Sequence, residues 1–337
     1  MKSNILKTLV PFVAALVIAR TPSSARADVS FPLYVIDGND SNIFKVDSGG
    51  TISNFVAAGS PGIDPFQMAF DFRGNLYTAN NNGTVSEITP GGTVSTFATI
   101  GANFRPAGVA LDGSGNLYLS SDSSGQIDKI TPGGSVTLFA TVAGASALGD
   151  LAFDAAGNLF VGNTYVNGNI YKITSGGSAS LFATTPTEAY GLAFDRNGNL
   201  FASDVDSGFI YEVTTDGQVS TFASGDLWTG LAFDQNGLLY AVDGGNNTVD
   251  TIDTQGNVAT FASGFNGPVD LTFSGFTGPF TVPEPSSAAL GALGLAGVFC
   301  VDPERGHSAA VNQGIYAGWT DARDSCLLSY TTITLRQ

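Results

Sequence analysis

The sequence predicts an all-β protein, a six-bladed β-propeller of four-stranded blades. Three observations point there: a motif rewritten five times at a spacing near forty residues, hairpin turn chemistry inside each copy, and leftover strands at the two ends that add up to one more unit. The motif reads MAFDFRGNLY (68–77), VALDGSGNLY (109–118), LAFDAAGNLF (151–160), LAFDRNGNLF (192–201) and LAFDQNGLLY (231–240). Its aspartates, Asp71, Asp112, Asp154, Asp195 and Asp234, follow one another at 41, 42, 41 and 39 residues. A fixed period of this length with strand-like content is the mark of a repeat architecture.

Each repeat resolves into four short strands. In the fourth copy these are expected at 191–195, 199–203, 209–214 and 218–223. The first turn, Asp195-Arg196-Asn197-Gly198, offers an aspartate that accepts backbone N–H groups and a glycine for the left-handed position. The turns between third and fourth strands read DSGG (47–50), TPGG (89–92 and 131–134), TSGG (174–177) and TTDG (214–217), all hairpin signals. Alternation in LAF sends Leu and Phe to one face and Ala to the other. A recurrent fourth-strand phenylalanine, Phe55, Phe97, Phe139, Phe182, Phe222 and Phe261, supplies large buried area in every unit. Four-stranded sheets repeated at this period describe a propeller.

The ends complete the count. Leu33–Asp37, 42–47 and 51–57 match second, third and fourth strands, and 269–273 (VDLTF) matches a first strand. One blade shared by both ends closes the ring and removes its free edges.

Composition agrees. Of 337 residues only 12% are charged and 43 are Gly, and Lys+Arg 13 against Asp+Glu 29 leave a net charge of −16. Turn-rich β structure suits these values, and the acidic balance argues against nucleic acid as a partner. The single histidine, His307, and both cysteines, Cys300 and Cys326, lie beyond the repeats. Residues 1–27 read as a secretory signal, with Lys2 and Lys7, an apolar run, and Ala25-Arg26-Ala27 for cleavage. The expected organisation is therefore signal 1–27, propeller 28–280, sorting segment 281–301, and a tail, 302–337, of non-native origin and without order.

The motif (L/V/M)-A-(F/L)-D-x-x-G-(N/L)-L-(Y/F) resembles the NHL-type repeat. More loosely it is similar to gluconolactonase-like and virginiamycin-lyase-like propellers. Pro283-Glu284-Pro285, followed by the uncharged stretch 288–301, resembles a PEP-CTERM sorting tail. That resemblance implies export in a Gram-negative bacterium, processing by an exosortase-type enzyme, and residence at the cell surface or in the extracellular matrix. The chain departs from the pattern after Val301, where Asp302-Pro303-Glu304-Arg305 and a further polar stretch replace the usual arginine cluster.

Candidate site residues are few. The turn aspartates recur in every blade and so read as structural. At the end of each second strand stand Asp37, Asn80, Ser121, Asn163, Asp204 and Asp243, and loops entering the first strands carry Asp64, Asp150, Glu188, Asp226 and Asp270. Oxygen donors without His or Cys suit Ca²⁺, which makes Asp37, Asn80, Asn163, Asp204 and Asp243 candidate ligands. Their bland reading is as caps of strand ends. Glu188 is a candidate ligand-binding acid and Trp228 a candidate stacking or packing ring. No catalytic set can be assembled. The leading expectation is an exported binding or scaffold protein whose ligand is an extracellular polysaccharide or protein. The alternative is a divalent-metal-dependent hydrolase or lactonase of the gluconolactonase type.

Overall fold

The structure is a computed structural model and describes residues 32–60, 62–101, 104–165, 167–274, 299–301 and 308–310. Two units are compact in themselves, residues 1–280 and 281–337. Within the second, the described residues form one antiparallel pair, Phe299–Val301 with Ser308–Ala310. The signal, the Pro283-Glu284-Pro285 motif and the rest of the tail lie outside the described residues.

The first unit is the six-bladed propeller. Five blades are consecutive four-stranded antiparallel sheets, with inner strands Pro65–Phe70, Pro106–Leu111, Leu148–Phe153, Leu192–Phe194 and Trp228–Phe233. The remaining blade takes its inner strand from the far end of the chain: Pro268–Phe273 pairs with Leu33–Asp37, Leu33 opposite Phe273 and Val35 opposite Leu271. Numbering blades in chain order from this composite one, I to VI, each inner strand packs on the next and VI returns to I. In the fourth motif copy the strands are Leu192–Phe194, Leu200–Asp204, Phe209–Val213 and Val219–Ser224, within a residue of expectation.

The turns form as their chemistry dictates. In the blade II turn, Asp71 Oδ1 accepts the N–H groups of Arg73 and Asn75, both at 2.8 Å, and Asn75 Nδ2 donates to Asp71 Oδ2 at 3.0 Å. Gly74 takes φ +85°, where a side chain is strained. The same aspartate bonds recur at Asp112, Asp154, Asp195 and Asp234.

Among the described residues the buried apolar side chains fall into six clusters, one at each blade junction. An edge-to-face aromatic triad repeats through them. Phe160 of blade IV meets Phe182 of its own outer strand at 5.0 Å and Phe194 of blade V at 5.1 Å. Tyr34, Tyr118, Phe201 and Tyr240 centre equivalent triads. At the II–III junction Tyr77 meets Phe97 at 4.9 Å, and Leu111 occupies the third place. Perpendicular rings align the positive edge of one with the negative face of another, an addition to their area burial. In all six blades the third and fourth strands slip register by a bulge, as between Val85 and Ser86 or Ile210 and Tyr211.

Candidate functional site

The six inner strands surround an axial cavity of about 190 Å³. Its lining runs in tiers, because each strand enters the ring in the same register. Below lie a Met/Leu/Val tier, an Ala/Thr tier and a Phe/Leu tier. Above them is the tier immediately before each motif: Gln67, Gly108, Asp150, Gly191, Gly230 and Asp270 in blades II, III, IV, V, VI and I. Asp150 and Asp270 therefore belong to blades three steps apart in either direction and face each other across the axis. The sequence reading counted both with the loops entering the first strands, although its first strand 269–273 already held Asp270; both stand inside the inner strands, and that of Asp150 begins before the motif.

The glycines of this tier make the close approach possible. A β-carbon on Gly108 would stand 2.7 Å from Asp150 Cα, and one on Gly230 2.9 Å from both Asp270 Cα and Oδ1. One on Gly191 would collide with the Thr229 carbonyl.

Both carboxylates are buried, Asp150 at 8% and Asp270 at 4% exposure. Asp150 Oδ1 accepts Leu151 N–H at 2.7 Å, and its Oδ2 accepts Leu192 N–H from blade V at 3.1 Å. Asp270 Oδ2 accepts Met68 N–H from blade II at 2.9 Å. The Gln67 amide, turned nitrogen-inward, donates to both Asp270 oxygens at 3.3 and 3.2 Å. Burial pushes the Asp150 carboxyl up to about 7, against the pull of its N–H donors. Burial raises Asp270 as well, and the Asp150 charge adds to it.

Above the tier, half-buried Tyr190 feels the same charges; burial first, then Tyr165, Asp270, Asp150 and Glu188, hold its phenol protonated. Glu188 is buried at 5% exposure, and its Oε2 accepts Tyr165 N–H at 3.3 Å. Burial raises its pKa, Tyr165 N–H opposes this, and Asp206 and Asp204 raise it further. Tyr165 is 73% exposed with φ +65°, a strained conformation for a side-chain-bearing residue. Arg105 pairs with Asp122 at 3.1 Å beside this group. The mouth thus carries buried acid, exposed phenol and one guanidinium over blades III to V.

The predicted second-strand residues are not brought together. Asp37 Oδ2 accepts Asn266 N–H, Asn80 Oδ1 accepts Asp64 N–H at 2.9 Å, and Asn163 Nδ2 donates to Asn167 at 3.0 Å. Asp204 Oδ1 accepts Asp206 and Ser207 N–H, and Oδ2 accepts the Thr187 hydroxyl. Asp243 accepts from Asn246 backbone and side chain, both at 2.9 Å. Each serves loops of its own blade junction. Among the described residues no three His, Cys, Asp or Glu side chains converge as a metal-holding group. Trp228 is fully buried in the V–VI junction, its Nε1 without a protein partner; of its two readings, packing is the one observed.

The signal for the axial tier was present in the residue preceding L-A-F: glycine in three copies and Gln67, Asp150 or Asp270 in the others. A position that is small in half the ring and charged in two opposed blades breaks the repeat where the blades converge.

A closed propeller with a polar-capped axial cavity and an acidic, tyrosine-bearing mouth defines the class. The virginiamycin B lyase family model matches residues 27–263, and the chain belongs to that family. No curated protein matches the chain. Virginiamycin B lyase from Staphylococcus aureus is 15% identical over 73% of this chain and 89% of that one, with a TM-score of 0.58. A histidine-to-alanine variant of the same enzyme, catalytically inactive and holding quinupristin, is 15% identical over 70% and 86%, at 0.55. A chain of a nidogen/laminin complex is 17% identical over 72% of this chain and 98% of that one, at 0.64. A candidate gluconolactonase is 16% identical over 58% and 77%, at 0.50. At these identities the likenesses show the fold.

Proposed function

We propose that this family member is an exported propeller that binds a ligand at its axial mouth and does not perform lyase chemistry. One observation carries the reading. The Staphylococcus aureus lyase is inactive when a histidine is replaced by alanine, whereas the family-matched stretch of this chain, 27–263, contains no histidine. A lyase needs a positioned base with its own orienting partner, and the mouth offers buried carboxyls committed to backbone N–H donors. The nidogen/laminin likeness supports a binding use of the same fold.

The ligand class that suits the mouth is an extracellular polysaccharide or protein. Tyr165 supplies an exposed ring, and Glu188 and Arg105 supply directional hydrogen bonding beside it. Residues 1–27 and Pro283-Glu284-Pro285 address the protein to the surface or matrix of a Gram-negative bacterium, with an exosortase-type enzyme as its processing partner. The test pairs two assays on the purified full chain. Incubation with quinupristin is expected to give no ring-opened product above the buffer blank, while titration with exopolysaccharide gives saturable heat that Tyr165→Ala removes. Sustained turnover of quinupristin would overturn the proposal.

A second reading, a metal-dependent lactonase, is favoured by one observation: two opposed carboxyls, Asp150 and Asp270, line an axial cavity. It takes Ca²⁺ as its cofactor, with Asp37, Asn80, Asn163, Asp204 and Asp243 as the candidate ligands. Melting temperature that climbs with free Ca²⁺, together with lactone hydrolysis, would favour it.

A further inference from the structure

The axial pair has a structural position that ligand binding does not explain. Each carboxylate fastens its own blade to the following one. Asp150 receives Leu192 N–H across the IV–V junction, and Asp270 receives Met68 N–H across the I–II junction. Asp270 also stands on the strand that closes the ring, which is joined to Leu33–Asp37 by hydrogen bonds and side-chain packing with no connecting turn. We propose that Asp150 and Asp270 are a pH-sensitive lock on the ring: while a proton is held on the pair the two junctions are fastened, and when both carboxyls ionise their repulsion across the axis outweighs the stronger N–H bonds each then accepts, so the junctions loosen, the closing seam first.

The surroundings leave two charges nowhere to go. The neighbouring inner strands Pro106–Leu111, Leu192–Phe194 and Trp228–Phe233 carry no titratable group, and Pro65–Phe70 contributes only the Gln67 amide. Among the described residues no lysine, arginine or histidine lines the cavity. From the second strands packed behind, Tyr34 and Tyr240 turn into the aromatic triads. Asp37 Oδ2 accepts Asn266 N–H while its Oδ1 has no partner, and Asp243 accepts from Asn246. Tyr190, above, adds a phenol that stays neutral. Two opposed carboxylates in a low-dielectric channel without a cation repel, and one retains its proton.

The sign follows from the raised pKa values. Their contribution to stability is present below the unfolded carboxyl value of about 3.9 and is lost as the pH rises towards about 7. Buried Asp37 and Asp250 and half-buried Asp128 carry the same sign, so the axial share has to be isolated.

Thermal melts of the full chain between about pH 5 and about pH 8 do this for the wild type, Asp150→Asn, Asp270→Asn and, off the axis, Asp128→Asn. The wild-type Tm is expected to fall by roughly 5 °C or more over that range. Each axial amide should remove a larger part of the fall than Asp128→Asn. If the axial variants do not fold, hydrogen exchange on the wild type decides. Protection of Pro268–Phe273, corrected for intrinsic rate, should drop at the higher pH more than that of Thr84–Ile88. A flat or rising wild-type Tm, axial variants that keep the full wild-type slope, or a seam as protected as Thr84–Ile88 at both pH values would each overturn the lock. Neither outcome depends on ligand binding at the mouth, so the two proposals fail separately.

Discussion

Two sets of aspartates in this protein share a side chain and little else. Asp71, Asp112, Asp154, Asp195 and Asp234 sit at the hairpin between first and second strands, one per blade from II to VI, and each accepts the next N–H groups of its own turn. Asp150 and Asp270 occur in opposed blades only, at the axis, and accept N–H groups from the following blade. Hydrogen bonds outweigh desolvation at Asp112 and lower its pKa; Asn116 contributes most, through side chain and backbone, with Ser114 next. At the axis burial wins and the pKa values rise. An acid repeated in each of the five continuous blades holds its blade. One that interrupts the repeat acts on the whole ring.

The largest effect that would break this contrast comes from filling the axis. Gly191→Ala puts a methyl against the Thr229 carbonyl, and backbone cannot swing aside as a side chain can. A loss of about 3 kcal/mol is expected from urea unfolding. Gly157→Ala, with open space around it but φ +80°, should cost only about 1 kcal/mol. Equal losses would mean that the axial tier is no tighter than a turn.

Next in size are the turn acids. Asp195→Ala removes the acceptor of Asn197 N–H and Asn199 N–H, both at 2.8 Å. It should cost about 1 to 2 kcal/mol in urea unfolding. An unchanged stability would contradict the assignment.

The two sets also pull the pH profile in opposite directions. Lowered groups such as Asp112 stabilise above their unfolded value and lose that contribution as the pH falls through their folded one. Raised groups lose theirs as the pH climbs towards about 7. Stability measured by chemical denaturation should therefore peak between about pH 4 and pH 7. A peak on the alkaline side of neutrality would show that the axial acids do not dominate.

The smallest expected change restores regularity. Leu111→Phe would complete the aromatic triad missing at the II–III junction, beside Tyr77. A gain of no more than about 1 kcal/mol in urea unfolding is expected, and a loss would show that the junction has repacked around leucine.

Much of this architecture could be read from residues alone, for a physical reason. Hairpins such as Asp195–Gly198 are decided locally, by an acceptor and a glycine a few positions apart. The composite blade followed because 269–273 had no strands after it to pair with, and Leu33–Asp37 with its two following strands lacked a first strand. The axial tier was less legible. Asp150 and Asp270 are 120 residues apart, and only the angle between blades sets them opposite each other. Trp228 was undecidable for a similar reason: its burial is created by Phe201 and Ala193 of the preceding blade. The second-strand residues Asp37 to Asp243 look like a ring because they recur; the structure gives each a partner in a nearby loop and leaves Asp37 Oδ1 and Asn163 Oδ1 buried without one.

The register slip between third and fourth strands, present in every blade, reaches beyond the single molecule. A ring of six blades presents six outermost strands, each with a row of backbone groups able to recruit a foreign chain. The extra residue coils each rim strand and spoils the straight, evenly spaced ladder such recruitment requires. Copies packed side by side at high density can therefore meet without zipping into a fibre.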